Sequence, residues 1–433
     1  MSARVGQARD GGHESPGGAA LVYLWDADYP WDVRAEKVCA TCTSAGYDVH
    51  IVARNRAWRP TRERLAEGIV HRLRPWRWLG RRLDALLSFP AFCNPRWVLH
   101  LWRVVRGVRP SVLVVRDLPL CPTAIWVGRW LGVPVVLDMA ENYPAMMRKN
   151  FEAGRQRPID YLVRNPAVVA RVERYCLPRL DRILVVVEES AARLERLGVP
   201  APRVSLVSNT PPLARVDGRP PVRAGDQGGP LTLVYVGILE VPRGIADLLE
   251  AVALLRSAPQ AVRAVVIGTG RDAAVFHARA AELGLTSAEV TFHGHLASHE
   301  DVRRLVRSAD IGVLPHRVSE AWNTTIPNKL FDYMAAELPV ITSDAAPFAR
   351  IVRETGAGVV FRSRDPASLA DAVRAMSDPA RRRAFGAAGL AAVRQRYHWE
   401  YDARALLAAL DSVRARATAT AGTASHTLER AAS

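Results

Sequence analysis

Apolar runs and helical periods alternate along the chain. Leu21 to Trp25 is a continuous apolar run, a helical pattern follows from Val33 to Ala45, and after Gly46 a second run fills Val49 to Val52, predicting a strand, helix, strand unit. Further runs at Val112 to Val115, Val133 to Leu137 and Ile183 to Val187 are separated by segments of helical periodicity. Unbroken Val/Ile/Leu runs suit strands covered on both faces, so the first half reads as an open parallel α/β sheet. The alternation stops at 211–230, PPLARVDGRPPVRAGDQGGP, where clustered Pro and Gly without an apolar period predict an interdomain linker. It resumes with strand candidates at Leu231 to Val236, Ala264 to Ile267, Val290 to Phe292, Ile311 to Leu314, Val340 to Thr342 and Gly358 to Phe361. Between the first two, Ile245, Leu248, Leu249 and Val252 mark one buried helix face. A last helical stretch, Trp399 to Val413, carries Leu406, Leu407 and Leu410 on one side. The expected organisation is a disordered tail at 1–18, an N-terminal domain at 19–210, the linker at 211–230, a C-terminal domain at 231–397, a helix at 398–417 and a disordered tail at 418–433. Two doubly wound, Rossmann-like sheets so joined would present their strands' carboxyl ends to a shared central cleft, where such sheets bind ligands.

Composition narrows the classes. With 433 residues, 49% hydrophobic and 24% charged, the chain is neither collagen-like, nor a coiled coil, nor wholly disordered, and it is long enough for two cores. The net charge of +16 comes almost entirely from Arg, since Lys37, Lys149 and Lys329 are the only Lys. So lopsided a ratio weakens the charge as evidence for nucleic acid, and no nucleic-acid-binding motif is present; anionic partners such as phosphorylated substrates or a lipid surface remain. Cys39, Cys42, Cys93, Cys121 and Cys176 lack zinc-site spacing and read as reduced thiols. No apolar leader precedes the first strand, and the longest candidate span, Cys121 to Met139, is interrupted by Arg129, so a cytoplasmic chain without a membrane-spanning helix is expected.

Candidate chemistry concentrates in the second half. In the run from Ile326 to Asp344, Pro327 starts a helix with Asn328 and Lys329 beside its free N–H groups, an arrangement suited to a diphosphate. One turn deeper, Asp332 offers a carboxylate to both hydroxyls of a ribose. The loop Gly237 to Gly244 lies between a strand and the amphipathic helix, where Arg243 and Gly244 can reach a phosphate. Gly268-Thr-Gly270 is too short for a dinucleotide fingerprint and reads as a plain turn. In the first half, Arg116 and Asp117 follow one predicted strand, and Asp138 and Glu141 follow the next. The stretch from His71 to Pro110 holds nine Arg, one Asp and four Trp, which suits peripheral docking on an anionic membrane.

The succession YVGILEVPRGI, VIGTGRD, VTFHGHL, SADIGVLPHR and PNKLFDYMAAELPVITSD resembles the nucleotide-sugar half of a GT-B glycosyltransferase, and is most similar to glycosyltransferase family 4. VVRDLPLCPTAIWVGRWLGVPVVLDMAENYP, DRILVVVEES and VSLVSNTPP resemble that family's acceptor domain, and YHWEYDARALLAAL its final crossover helix, so the likeness covers about residues 19–415. The resemblance implies that Lys329 and Arg243, with Asn328 and Gly244, hold the donor diphosphate. It implies Asp332 for the ribose, and His293, Gly294, His295 and Leu296 for the base. The family's first acidic residue falls on Thr324, so Asn323 and Thr324 become the candidates for the donor sugar. Ile238 stands where the family places an Arg, which loads the phosphate work onto Arg243 and Lys329. Asp117 and Glu141 are the candidates for orienting or deprotonating the acceptor hydroxyl, with Asp26, Tyr29, Trp31, Arg116 and Asp138 around the acceptor. Asp26-Ala-Asp28 matches a metal-binding string by chance, and no metal or cofactor is expected.

The activity implied is a retaining, hexosyltransferase-type transfer from a nucleotide-diphosphate sugar, with UDP the expected nucleotide, to a glycan, glycolipid or secondary-metabolite acceptor, as in polysaccharide biosynthesis. A UDP-sugar 2-epimerase-like isomerase and a noncatalytic nucleotide-sugar or membrane-binding protein share these features and stay open.

Overall fold

The computed structural model describes residues 18–432 apart from 31, 77, 79, 81–82, 85–90, 153–160, 162–163, 217–222 and 297. Trp31, and all but the last residue of the expected N-terminal tail, lie outside the described residues. The first sheet contains β1 (Ala20–Asp28), β2 (Asp48–Arg54), β3 (Arg62–Leu65), β4 (Gly68–Arg72), β5 (Val112–Arg116), β6 (Val135–Met139), β7 (Arg182–Val185) and β8 (Val204–Leu206). Its order is β3-β4-β2-β1-β5-β6-β7-β8. The second contains β9 (Leu231–Val236), β10 (Val262–Ile267), β11 (Val290–Phe292), β12 (Ile311–Leu314), β13 (Val340–Ser343) and β14 (Gly358–Phe361), in the order β11-β10-β9-β12-β13-β14. The second sheet is parallel throughout, as its buried Val/Ile/Leu strands require.

Strand order in the second sheet proceeds outward from β9 in both directions, so the loops after β9 and β12 diverge at the point where an open α/β sheet binds ligands. Leu233, Tyr235, Ile245, Leu248, Leu249 and Val252 join one buried cluster on one face. Val234, Val236, Leu330, Phe331, Tyr333 and Met334 join another on the opposite face. Tyr333 lies so close over Gly312 that a Cβ there would come within 2.5 Å of its ring, and its hydroxyl accepts the Val236 N–H at 2.9 Å. The helix Lys329–Ala335 is thereby fixed against β9 and β12.

Three strands escape the sequence reading. Arg62–Leu65 pairs antiparallel with Gly68–Arg72, so the first sheet is mixed at that edge; its charged, alternately exposed residues conceal it, as edge strands often do. Val204–Leu206 is too short to stand out. The final helix runs Trp399–Ala432, through the stretch from 418 read as an unstructured tail; its alanines favour helix.

The chain divides into two compact units, one of residues 1–137, 179–181 and 410–433, the other of 138–178 and 182–409. This division differs from the one read off the linker, and side-chain chemistry within the second unit gives the reason. Arg350 binds Glu188 and Glu189, Thr325 donates to the Ala140 carbonyl, and Asn142 donates to Thr324, tying residues of the chain's first half to the β9–β14 sheet. Buried Asp402 accepts from the Ser208 N–H and the Thr210 hydroxyl.

Candidate functional site

The loop after β9 ends in a short 3-10 turn, Val241–Arg243, followed by Gly244 at φ 72°. A Cβ on Gly244 would lie 1.8 Å from the Pro315 carbonyl oxygen, so only glycine lets this loop rest against the loop after β12. The two loops are laced together: the Arg317 N–H donates to the Pro242 carbonyl at 3.1 Å, and the Arg317 guanidinium forks onto Asp247 at 2.7 and 3.1 Å. Behind them starts the helix Ile245–Leu254.

This lacing positions a cationic cluster. Arg243 Nη1 lies 3.1 Å from His316 Nε2, and the guanidinium stands 4.7 Å over the Trp322 ring. His316 meets Trp322 edge to face at 4.5 Å and Phe348 at 5.6 Å. Burial first, then the charges of Arg243 and Lys149, hold His316 well below the usual histidine range, so its ring is neutral and Nε2 accepts from Arg243. Lys149, from the helix Tyr143–Glu152, places its ammonium 5.5 Å from the same indole, and its pKa is lowered by burial and by Arg243. Two cations thus flank one aromatic ring, and among the described residues neither forms an ion pair with a carboxylate. His316 Nδ1 and Trp322 Nε1 are buried without a hydrogen-bond partner. A hollow of about 390 Å³ is lined by Lys149 and by chain neighbours of Arg243, His316 and Trp322, namely Pro242, Arg317 and Ala321, among others. Fixed cations in a partly desolvated niche suit an anion carrying several acceptor oxygens.

The residues singled out from sequence fall around this cluster in varied states. Lys329 Nζ and Asp332 Oδ2 form an ion pair at 3.1 Å, each side chain about a third exposed. Asn328 precedes their helix without a side-chain cap bond. Asn323 Oδ1 accepts the Ala346 N–H at 3.0 Å, capping the helix Ala346–Thr355. Thr324 is buried and engaged with Asn142 and the Glu320 carbonyl. Both border a second hollow of about 770 Å³. His293 and Gly294 are laced by backbone bonds to Val266 and Gly268, with His293 and His295 exposed and Leu296 half-buried beyond them. Glu141 is exposed just after β6 and contributes to the field at Lys149.

In the first unit, Asp117 follows β5 at φ 57°, with Arg116 Nε 3.6 Å from its carboxylate and Arg116 Nη2 3.6 Å from Asp32. Asp26 is ion-paired to Arg54, yet burial outweighs that partner and raises its pKa. Of the residues expected around the acceptor, Tyr29 is fully buried, and Asp138, in β6, is likewise fully buried. Among the described residues no group of three or more His, Cys, Asp or Glu could hold a metal ion.

Sequence reasoning missed Lys149, His316 and Trp322. Lys149 was visible as one of three lysines in an arginine-rich chain, and His316 lies two residues beyond β12. Trp322 carries no signal without the fold, because its role depends on which cations lie over it.

Two doubly wound sheets in one chain, with the cationic niche at the switch point of the second, define the GT-B class of glycosyltransferase folds. Residues 32–210 match the glycosyl transferase 4-like domain and 230–378 match glycosyl transferases group 1. The chain belongs to the group 1, family 4-like glycosyltransferases. It is 30% identical over 185 residues to a phosphatidyl-myo-inositol mannosyltransferase of Mycobacterium leprae, covering 42% of this chain and 46% of that protein. A Mycobacterium tuberculosis glycogen synthase is 31% identical over 177 residues, 40% of each chain. The matched region is thus under half the length of either relative. Among solved structures, sucrose-phosphate synthase from Thermosynechococcus elongatus superposes with TM-score 0.71 at 18% identity, covering 92% of this chain and all of that one. Anabaena HepE in complex with UDP gives 0.65 at 14% identity, covering 90% and 99%.

Proposed function

We propose that the protein is a retaining glycosyltransferase that takes a sugar from a nucleotide-diphosphate donor, with UDP as the nucleotide, and transfers it to a glycan, glycolipid or secondary-metabolite hydroxyl. The observation that carries this reading is the niche of Arg243, Lys149, Trp322 and neutral His316 at the switch point of the second sheet. As the bond from the anomeric carbon to the phosphate oxygen breaks, its electron pair passes to the nucleoside diphosphate. Preorganised cations stabilise that growing charge. His316 keeps Arg243 aimed without adding a charge of its own. Lys329 exchanges Asp332 for the diphosphate, which frees the Asp332 carboxylate for the ribose hydroxyls. Asp117 and Glu141 stand as candidates to accept the acceptor hydroxyl's proton. The family membership supports the transfer chemistry, and the UDP complex of Anabaena HepE supports the choice of nucleotide. The expected setting is the cytoplasmic face of a membrane, bound peripherally; no described helix is long and apolar enough to cross one.

The test is nucleoside diphosphate release from UDP-, GDP- and dTDP-sugars, with and without a membrane lipid extract, for wild type and Lys329→Ala. The reading expects one donor to be consumed only when acceptor is present, with retained anomeric configuration, and loss of turnover in the variant. Because the fixed cations carry the leaving-group charge, turnover is expected to persist in EDTA. Sugar interconversion without acceptor would support an isomerase instead, and donor binding without any turnover a noncatalytic protein.

A further inference from the structure

A further hollow shares no lining residue with the one beside Lys149. It measures about 970 Å³, belongs wholly to the first unit, and lies beyond the carboxyl ends of β2 and β4, the side on which α/β sheets bind ligands. Its lining includes Arg62, Arg74, Arg96, Arg103, Trp76 and Trp78, and no Asp or Glu among the described residues. Arg62, Arg74 and Arg103 form no ion pair among the described residues.

The wall is held in place from within. Asn94 accepts the Arg96 N–H at 3.0 Å and Pro95 opens the helix Pro95–Val108, which sets Arg96 in its first turn. From there the Arg96 guanidinium donates to Asp84 and to the Arg74 carbonyl, each at 2.9 Å, and lies 4.2 Å over the Trp76 ring. Asp84 also accepts the Trp76 N–H at 2.9 Å. Trp76 and Trp78 stack at 6.4 Å, and Trp78 is 81% exposed. An exposed indole beside guanidinium groups that form no ion pair among the described residues suits an anion with a ring or chain attached. Lone surface arginines would be solvated and scattered; here they converge on one concavity.

We propose that this hollow binds the phosphoryl group of a phosphorylated acceptor, with Arg62, Arg74 and Arg103 on the phosphate oxygens and Trp76 and Trp78 against the ring or chain that carries it. The inference rests on the transferase reading for the word acceptor, but the binding itself does not. A phosphoryl group fits whether it belongs to a soluble sugar or cyclitol phosphate or to a lipid headgroup.

The test titrates the full chain with inositol 1-phosphate and, as neutral control, inositol. A second arm uses phosphatidylcholine vesicles with and without phosphatidic acid. Each is run on wild type and on Arg74→Ala/Arg103→Ala, with UDP binding measured in parallel. The double variant removes exposed side chains only, and an unchanged urea unfolding midpoint certifies its fold. Binding of inositol 1-phosphate but not inositol, weakened about tenfold or more in the double variant, supports the proposal with a soluble source. Dependence on phosphatidic acid with the same sensitivity supports it with a lipid source. Equal binding by wild type and variant, or no binding of either phosphorylated probe, overturns it. Loss of UDP binding in wild type with phosphate binding retained would sink the donor reading and leave this one standing.

Discussion

At the residue scale, three histidines are kept neutral by burial. His316 is held well below the ordinary value of 6.5, His100 is lowered, and His71, stacked on His50 with their ring nitrogens 2.9 Å apart, is lowered to about 4. The unfolded chain takes up these protons near pH 6.5 whereas the folded one does not, so each contributes stability above that value that is lost as the pH falls below it. Urea midpoints are therefore expected to drop between about pH 6.5 and 4, and His316→Gln should flatten the slope. A midpoint independent of pH in that window would contradict the neutral buried rings. Charge also decides what the cation over Trp322 does: Arg243→Lys keeps a charge but loses the fork, and is expected to bind UDP several-fold more weakly while folding normally.

At the level of elements, the close approach of the loops after β9 and β12 depends on Gly244. Gly244→Ala must move either Pro315 or the turn before it, so a loss of about 1–3 kcal/mol is expected, read by chemical denaturation, together with weakened UDP binding. Most elements were legible because burial writes itself into sequence: β9, with every residue buried, and the helix Ile245–Leu254 follow from apolar period alone. Arg62–Leu65 was not legible, because an edge strand with Arg and Glu carries no apolar period. The site was half legible for a related reason. Lys329, Asp332 and Arg243 stand in local motifs, whereas the meeting of Lys149 with Trp322 joins residues far apart in the chain. Tyr29 and Asp138 are buried although each stands near the carboxyl end of a strand, because position along a strand does not say whether a side chain turns into the core.

At the scale of the whole molecule, buried polar links hold the second unit together across long sequence separations. Asp402 satisfies the Ser208 N–H and the Thr210 hydroxyl from the start of the final helix. Asp402→Ala leaves both donors in a buried setting and is expected to cost about 1–3 kcal/mol in denaturant unfolding. It should do so without altering the cationic niche around Trp322, so UDP affinity at low temperature is expected to survive if the proposed donor site is the one in use. The switch point gathers loops from β9 and β12 and a helix from the chain's first half onto a single indole. The most direct measurement is UDP affinity by titration calorimetry for wild type, Arg243→Ala and Lys149→Ala. UDP is expected to bind the wild-type chain, and each variant to bind it about tenfold or more weakly. Equal affinity in all three proteins, or no binding to the wild type, would contradict the proposed donor site.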